Sequence, residues 1–283
     1  MFRLLALHAH PDDESSKGAA TVAKYVDDGV DAVLVTATGG EAGDILNPAM
    51  DKPGIKENLP EIRRGELDEA AAIIGFRDVI MLGYRDSGMP DTEDNARPDA
   101  FTNADHSEVL ARLVEIVRRE RPHVILGYDS HERYPHPDHL AIHRYGVEVF
   151  AAAADPAVHP DLGEPWAAHK LYAPIFSVAR VTSLHEAMLE RTGESPFAEW
   201  MERIEPRADV GKRITSVDVS TTLSRGRDAL RAHRTQVDPD GFWFHVPEDL
   251  VVDAYPYEDF ELLASRVTIE AEEKSLFDGI AVG

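Results

Sequence analysis

Two short stretches of the chain carry side chains that could hold and use a divalent metal. The first is His10-Pro11-Asp12-Asp13-Glu14 and the second is Tyr134-Pro135-His136-Pro137-Asp138-His139. Two imidazoles and one carboxylate bind such an ion while leaving positions for water and substrate, as metal-assisted hydrolysis requires. His10, Asp13 and His139 can supply that set. Asp12 then stands beside a ligand, free to take a proton from water and return it to a leaving amine. His136 precedes His139 by one helical turn, and as an imidazolium it would steady a tetrahedral oxyanion. Asp138 would orient it and Tyr134 would donate a second hydrogen bond. The same three ligands also describe a non-haem iron oxygenase, or a protein that holds a sugar without turnover; a free acid beside the metal on a parallel sheet fits hydrolysis better.

The 283 residues include no cysteine, which excludes disulfides and thiolate ligands and leaves His, Asp and Glu to bind a metal. Five of the thirteen histidines gather near acids and prolines in two places, His8/His10 and His131/His136/His139. His8 sits inside an apolar strand pattern and reads as a packed core residue.

Both stretches need a strand to deliver them. Residues 3–9 form a short apolar run that Pro11 stops, and Ser15 or Ser16 is placed to cap a helix through residue 26. Residues 31–38 read as a second buried strand ending in Gly39-Gly40-Glu41-Ala42-Gly43, a tight turn that does not match a dinucleotide fingerprint. Residues 57–75 have a helical period with Ile62, Leu67, Ala71 and Ile74 inward and Arg63 and Arg64 partly free. A strand at 79–82, a polar loop at 84–89, a surface stretch at 90–103, a helix at 104–120 and a strand at 123–128 lead to the second stretch. There a helix over 137–154 opens with Pro137 in its first turn.

This alternation predicts an α/β fold, a Rossmann-like, largely parallel sheet flanked by helices, with a smaller C-terminal portion completing the pocket. Ligands of such sheets collect at the carboxyl ends of the strands. Residues 1–160 would form the metal-binding portion and residues 161–283 would complete the sheet and the substrate pocket within one domain. In the latter part, 170–178 reads as a strand, 182–191 and 220–233 as helices, Phe242-Trp243-Phe244 as core or lid, and 258–278 as a solvated helix face.

The 29 Lys and Arg against 52 Asp and Glu give a net charge of -23, so the surface repels nucleic-acid phosphates and anionic lipid. With no basic-then-apolar leader and no apolar run able to span a bilayer, a cytoplasmic enzyme is expected. Its expected partners are a small-molecule substrate and, at most, further copies of itself in a homo-oligomer, with no nucleic acid and no membrane.

The two motifs together resemble the LmbE-like, PIG-L type zinc deacetylases, which remove acyl groups from amino sugars. The resemblance implies zinc, or ferrous iron on the same donors, held by His10, Asp13 and His139. It also implies Asp12 as general base and His136 and Tyr134 at the transition state. Along most of the chain, through Ser15-Ser16-Lys17-Gly18, Thr38-Gly39-Gly40-Glu41, Asp86-Ser87-Gly88 and Gln236-Val237-Asp238-Pro239, it is similar to the branch that hydrolyses mycothiol S-conjugates in thiol detoxification. In those substrates N-acetylcysteine is amide-linked to glucosaminyl-inositol. A sister branch deacetylates N-acetylglucosaminyl-inositol and has a small polar residue in place of Lys17. Arg64 and Asp86 match sugar- or inositol-contacting positions of that sister, and Glu41 matches an acid near its metal. Arg234 departs from the pattern, which has a small residue there.

Overall fold

The structure is a computed structural model that describes residues 1–130, 134–203, 205, 208–269 and 272–281. His131, singled out from the sequence, lies outside the described residues. Short runs of aliphatic residues build one sheet. Its strands are β1 (Arg3–His8), β2 (Asp31–Thr38), β3 (Asp78–Tyr84), β4 (Val124–Leu126), β5 (Lys170–Ile175), β6 (Ile214–Asp218) and β7 (Tyr257–Ser265). Their spatial order is β3-β2-β1-β4-β5-β7-β6. The first five are parallel, while β7 runs antiparallel to both β5 and β6.

Helices α1 (Asp13–Ser16) and α2 (Ala19–Asp27) lead from β1 to β2, α3 (Leu59–Ile74) from β2 to β3, α4 (His106–Glu120) from β3 to β4, and α5 (Pro137–Ala152) from β4 to β5. Next come α6 (Val178–Thr192) and α7 (Ala198–Arg203) before β6, then α8 (Leu223–Ala232) and α9 (Glu248–Ala254) before β7. Alternation along β1 decides the layers. Leu4 and Ala6 pack with α2, α3 and α8, whereas Leu5 and Leu7 pack with α4 and α5 on the other face. A satellite core around Val181, Leu184, Phe197, Val246 and Val251 lies under α6, α7 and α9. After β3 the chain returns to the other side of β1. The crevice between the carboxyl ends of β1 and β4 is therefore the topological switch point where open α/β sheets bind ligands. No helix among the described residues is long and apolar enough to cross a membrane.

The largest departure from expectation is at the C-terminus. Residues 257–265 form β7, inside the sheet, where a solvated helix face was expected. The acids there are not a solvent stripe: Phe260 is fully buried, and Asp259 is buried beside it and accepts from Ser177, Ser216 and Tyr255. The first helix also starts differently. Asp12 has φ 117°, so helical turns begin at Asp13, and Ser15 donates to Glu14 instead of capping. Gly18, at φ 89°, then separates α1 from α2. The strands and helices β6, α7 and α9 are short and had no clear signal in the sequence.

Candidate metal centre and active site

The turn after β1 is held by its own carboxylate. Asp13 accepts from the backbone N–H of Ala9 at 3.2 Å and of His10 at 2.9 Å, which curls the chain and brings its other oxygen toward the second motif. The positive φ at Asp12 is a conformation that few non-glycine residues adopt, at a cost of about 1–3 kcal/mol. Buried Arg63 offsets it by donating to Pro11 O, to Gly40 O at 2.9 Å and to the Asp12 carboxylate at 3.3 Å. From behind, Glu14 accepts from the Asp12 N–H at 3.0 Å and pairs with His233 at 2.6 Å, both fully buried.

On the second motif, His136 caps α5, its Nδ1 accepting from the Asp138 N–H at 3.2 Å. That bond leaves the ring proton of the neutral form on Nε2, 3.9 Å from Asp86 Oδ1, and the residue lines the cleft. Asp138 holds His136 through its backbone N–H, and its side chain is turned elsewhere. Its buried carboxylate accepts from Ser87 N at 2.9 Å and from Ser87 Oγ, and lies 3.1 Å from His10 Nε2, so it orients His10.

His10 therefore turns Nδ1 toward His139. His10 Nδ1 and His139 Nε2 are 3.2 Å apart, and the Asp13 carboxylate is 3.6 Å from the first and 3.4 Å from the second. Donors about 2.0–2.2 Å from a tetrahedral ion sit about 3.3–3.6 Å apart; the two imidazole nitrogens approach that spacing, with Asp13 Oδ2 facing His10 and Asp13 Oδ1 facing His139. Histidine, carboxylate and no thiolate is a borderline donor set that zinc and ferrous iron both accept. His10, His136 and His139 also form one cluster able to hold an ion, and Asp86 and Asp138 join His10 and His136 in another.

Burial and neighbouring charge divide the titratable groups. Burial acts against the charged form of Asp13, yet Lys17, His139 and His10 hold its carboxyl well below the usual range. His139 is pushed down by burial to about 3, which favours the neutral ring a metal ligand needs. Burial raises Asp12, with Arg63 opposing and Asp13 reinforcing the rise, which suits a base that must also give its proton back. His136 was expected as an imidazolium. Burial, and then the charge on His10, push it down to about 4.

A cleft of about 1060 Å³ opens over these groups, lined by His10, Asp12, Asp13, Lys17, His136 and His139 among others. Lys17 lies 3.0 Å from Asp13 and over the Tyr128 ring. Tyr134 also borders the cleft, its ring 5.5 Å from His139 and half exposed. Asp86 lies 3.5 Å from His10 Nε2 and accepts from Gly88 N at 2.8 Å, while Glu41 accepts from the Asp86 N–H at 2.8 Å and so acts one layer out. Arg64 is not brought to the cleft. It points outward from α3 and pairs with Asp68 at 3.0 Å, while Arg63, expected partly free, is buried and lines the cleft. The signal was present, since Arg63 lies in phase with Leu67, Ala70, Ala71 and Ile74 on the buried stripe of α3. Ser87 and the Glu14–His233 pair had no local signal. Arg234 pairs with exposed Glu69 at 2.8 Å, outside the cleft.

The PIG-L family, described as GlcNAc-PI de-N-acetylase, matches residues 5–150. The chain is 42% identical to mycothiol S-conjugate amidase of Streptomyces coelicolor, over 98% of this chain and 97% of that one. It is 37% identical to 1D-myo-inositol 2-acetamido-2-deoxy-alpha-D-glucopyranoside deacetylase of Geodermatophilus obscurus, over 98% of each. Among solved structures, N,N'-diacetylchitobiose deacetylase from Pyrococcus horikoshii shares the fold, with a TM-score of 0.62 at 20% identity over 92% of this chain and 83% of that one.

Proposed function

The chain belongs to the PIG-L family, and from that premise we propose that this hydrolytic enzyme cleaves the amide of mycothiol S-conjugates, releasing a mercapturic acid and glucosaminyl-inositol. The observation that carries the chemistry is the convergence of His10, Asp13 and His139 at 3.2–3.6 Å with Asp12 in the same cleft. The substrate rests on the 42% identity and on Lys17 bordering the cleft.

We assign zinc, or ferrous iron, to His10, Asp13 and His139. Bound there, such an ion supplies Lewis acidity toward water and the amide carbonyl. Asp12, raised by burial and steadied by Arg63, takes the proton of the attacking water and hands it to the departing amine. His136 offers its Nε2–H to the oxygen that gains charge, and Tyr134 offers its hydroxyl. Lys17, Asp86 and Glu41 hold the ligands and the wall, and Arg63 takes the place expected of Arg64.

A second reading, deacetylation of N-acetylglucosaminyl-inositol, is favoured by the 37% identity to the deacetylase. Offering the zinc-loaded protein both substrates and following products by mass spectrometry separates the two. Faster release of mercapturic acid supports the amidase; faster release of acetate overturns it in favour of the deacetylase.

A further inference from the structure

We infer that Phe176, Trp200 and Trp243 form a subsite for an apolar, aryl-bearing group carried on the sulfur of the substrate's acyl half, an inference that rests on the amidase reading. The three rings come from separate elements: the end of β5, α7, and the turn Phe242–Phe244. All three border the cleft that holds the metal ligands. The Phe176 ring lies 5.6 Å from Trp200 and 6.2 Å from Trp243, with the planes inclined by 55° and 42°. Tilted rings of this kind present both faces and edges to a guest.

The rings have a firm backing. Phe197, in the satellite core, meets Trp200 at 6.0 Å and Phe242 edge-on at 5.6 Å. Trp243 nevertheless remains 38% exposed and Phe242 40% exposed, so the wall keeps apolar surface toward solvent that a guest would cover.

Position relates this wall to the reacting bond. Ile175 and Phe176 also border a small recess shared with Ser16 and Lys17, and the Lys17 ammonium is 3.0 Å from Asp13. The aromatic wall therefore begins next to the metal ligands. The lining also carries polar side chains, Asp44, Arg63, Asp86 and Gln236, which suit a polyol, and Arg203 and Asp209 near the rings. A substrate with a hydroxylated half and an apolar half finds both polar and aromatic partners in this lining. The volume of about 1060 Å³ is just above the range of about 300–1,000 Å³ usual for small-molecule sites, and an acetyl group would leave the aromatic part unused.

The test compares S-methyl and S-benzyl conjugates of N-acetylcysteinyl-glucosaminyl-inositol as substrates of the zinc-loaded protein, in the wild type, Trp243→Ala and Trp243→Phe. We expect kcat/KM to favour S-benzyl by about tenfold, mainly through KM. Trp243→Ala should bring that ratio close to one, and Trp243→Phe should keep most of it. Equal kcat/KM for both conjugates in the wild type, or an unchanged ratio in Trp243→Ala, overturns the subsite while the amidase reading stands. If neither conjugate is hydrolysed, the amidase reading fails, and calorimetry with N-acetyl-S-benzylcysteine decides the subsite. Saturable binding that Trp243→Ala weakens about tenfold supports it, and the absence of saturable binding overturns it.

Discussion

His10 Nε2 lies 3.1 Å from Asp138 Oδ2, so the helix that carries His139, one proposed metal ligand, also carries the carboxylate that aims another, His10. A histidine fixed at one nitrogen presents the other to the metal in a set direction, and loss of such a partner commonly lowers metal affinity by about 10–100-fold. Asp138→Asn should show a loss of that size in competition with a chelator. Ser87→Ala, which removes a donor to the same carboxylate, should show a smaller loss. Wild-type affinity in Asp138→Asn would mean that His10 is oriented by other contacts.

Asp12→Asn should keep its metal by elemental analysis and lose about 10²–10⁴-fold in kcat, the usual contribution of a general base. Removing the Arg63 charge should act on the same carboxyl in the opposite sense to Arg63 itself. The guanidinium holds Asp12 down against burial, so Arg63→Met raises a pKa that is already raised, and the acid limb of kcat/KM moves to higher pH. An unmoved limb would show that another group sets it.

Arg64→Ala should change kcat/KM by less than about twofold and stability by no more than about 0.5 kcal/mol, because an exposed helical ion pair contributes little. Arg63→Ala should lower both activity and melting temperature. Equal effects from the two substitutions would contradict the difference in burial between them.

Breaking the buried Glu14–His233 pair by His233→Ala should cost about 3–5 kcal/mol in chemical denaturation, since it leaves a carboxylate buried without its partner. Glu14→Gln combined with His233→Gln should cost less than the sum of the single changes. Strict additivity would show that the two groups are not coupled.

His8 predicts an acid-side loss of stability. Burial holds its pKa down to about 4 in the folded chain, against 6.5 for the free group. Above pH 6.5 both states are neutral and its contribution is complete. Between 6.5 and about 4 only the unfolded chain takes the proton, so stability falls as pH falls, by at most about 1.4 kcal/mol per pH unit. Metal-free His8→Leu should lose that part of the slope. An identical slope in variant and wild type would place the acid sensitivity elsewhere.

Much of the parallel half of the fold was legible because each strand there is a short apolar run followed at once by proline, glycine or acid. The approach of the two motifs followed from the parallel order alone. What was missed depended on distance or on phase. Glu14 and His233 meet across 219 positions, which no local pattern can show. Strand β7 was misread because acids flank its buried Phe260, and Asp259 is acceptable there only because hydroxyls from Ser177, Ser216 and Tyr255 surround it. Arg63 was misplaced because its charge was given more weight than its helical phase.

The insertion of β7 between β5 and β6, antiparallel to both, ties a later stretch of chain onto a sheet whose proposed ligands all come from earlier turns. His10, Asp13 and His139 precede β5, while Trp200 and Trp243 follow it. Substitutions that reshape the wall at Trp200 or Trp243 therefore fall in a segment without proposed ligands, and a lineage could change what it accepts while inheriting how it cuts.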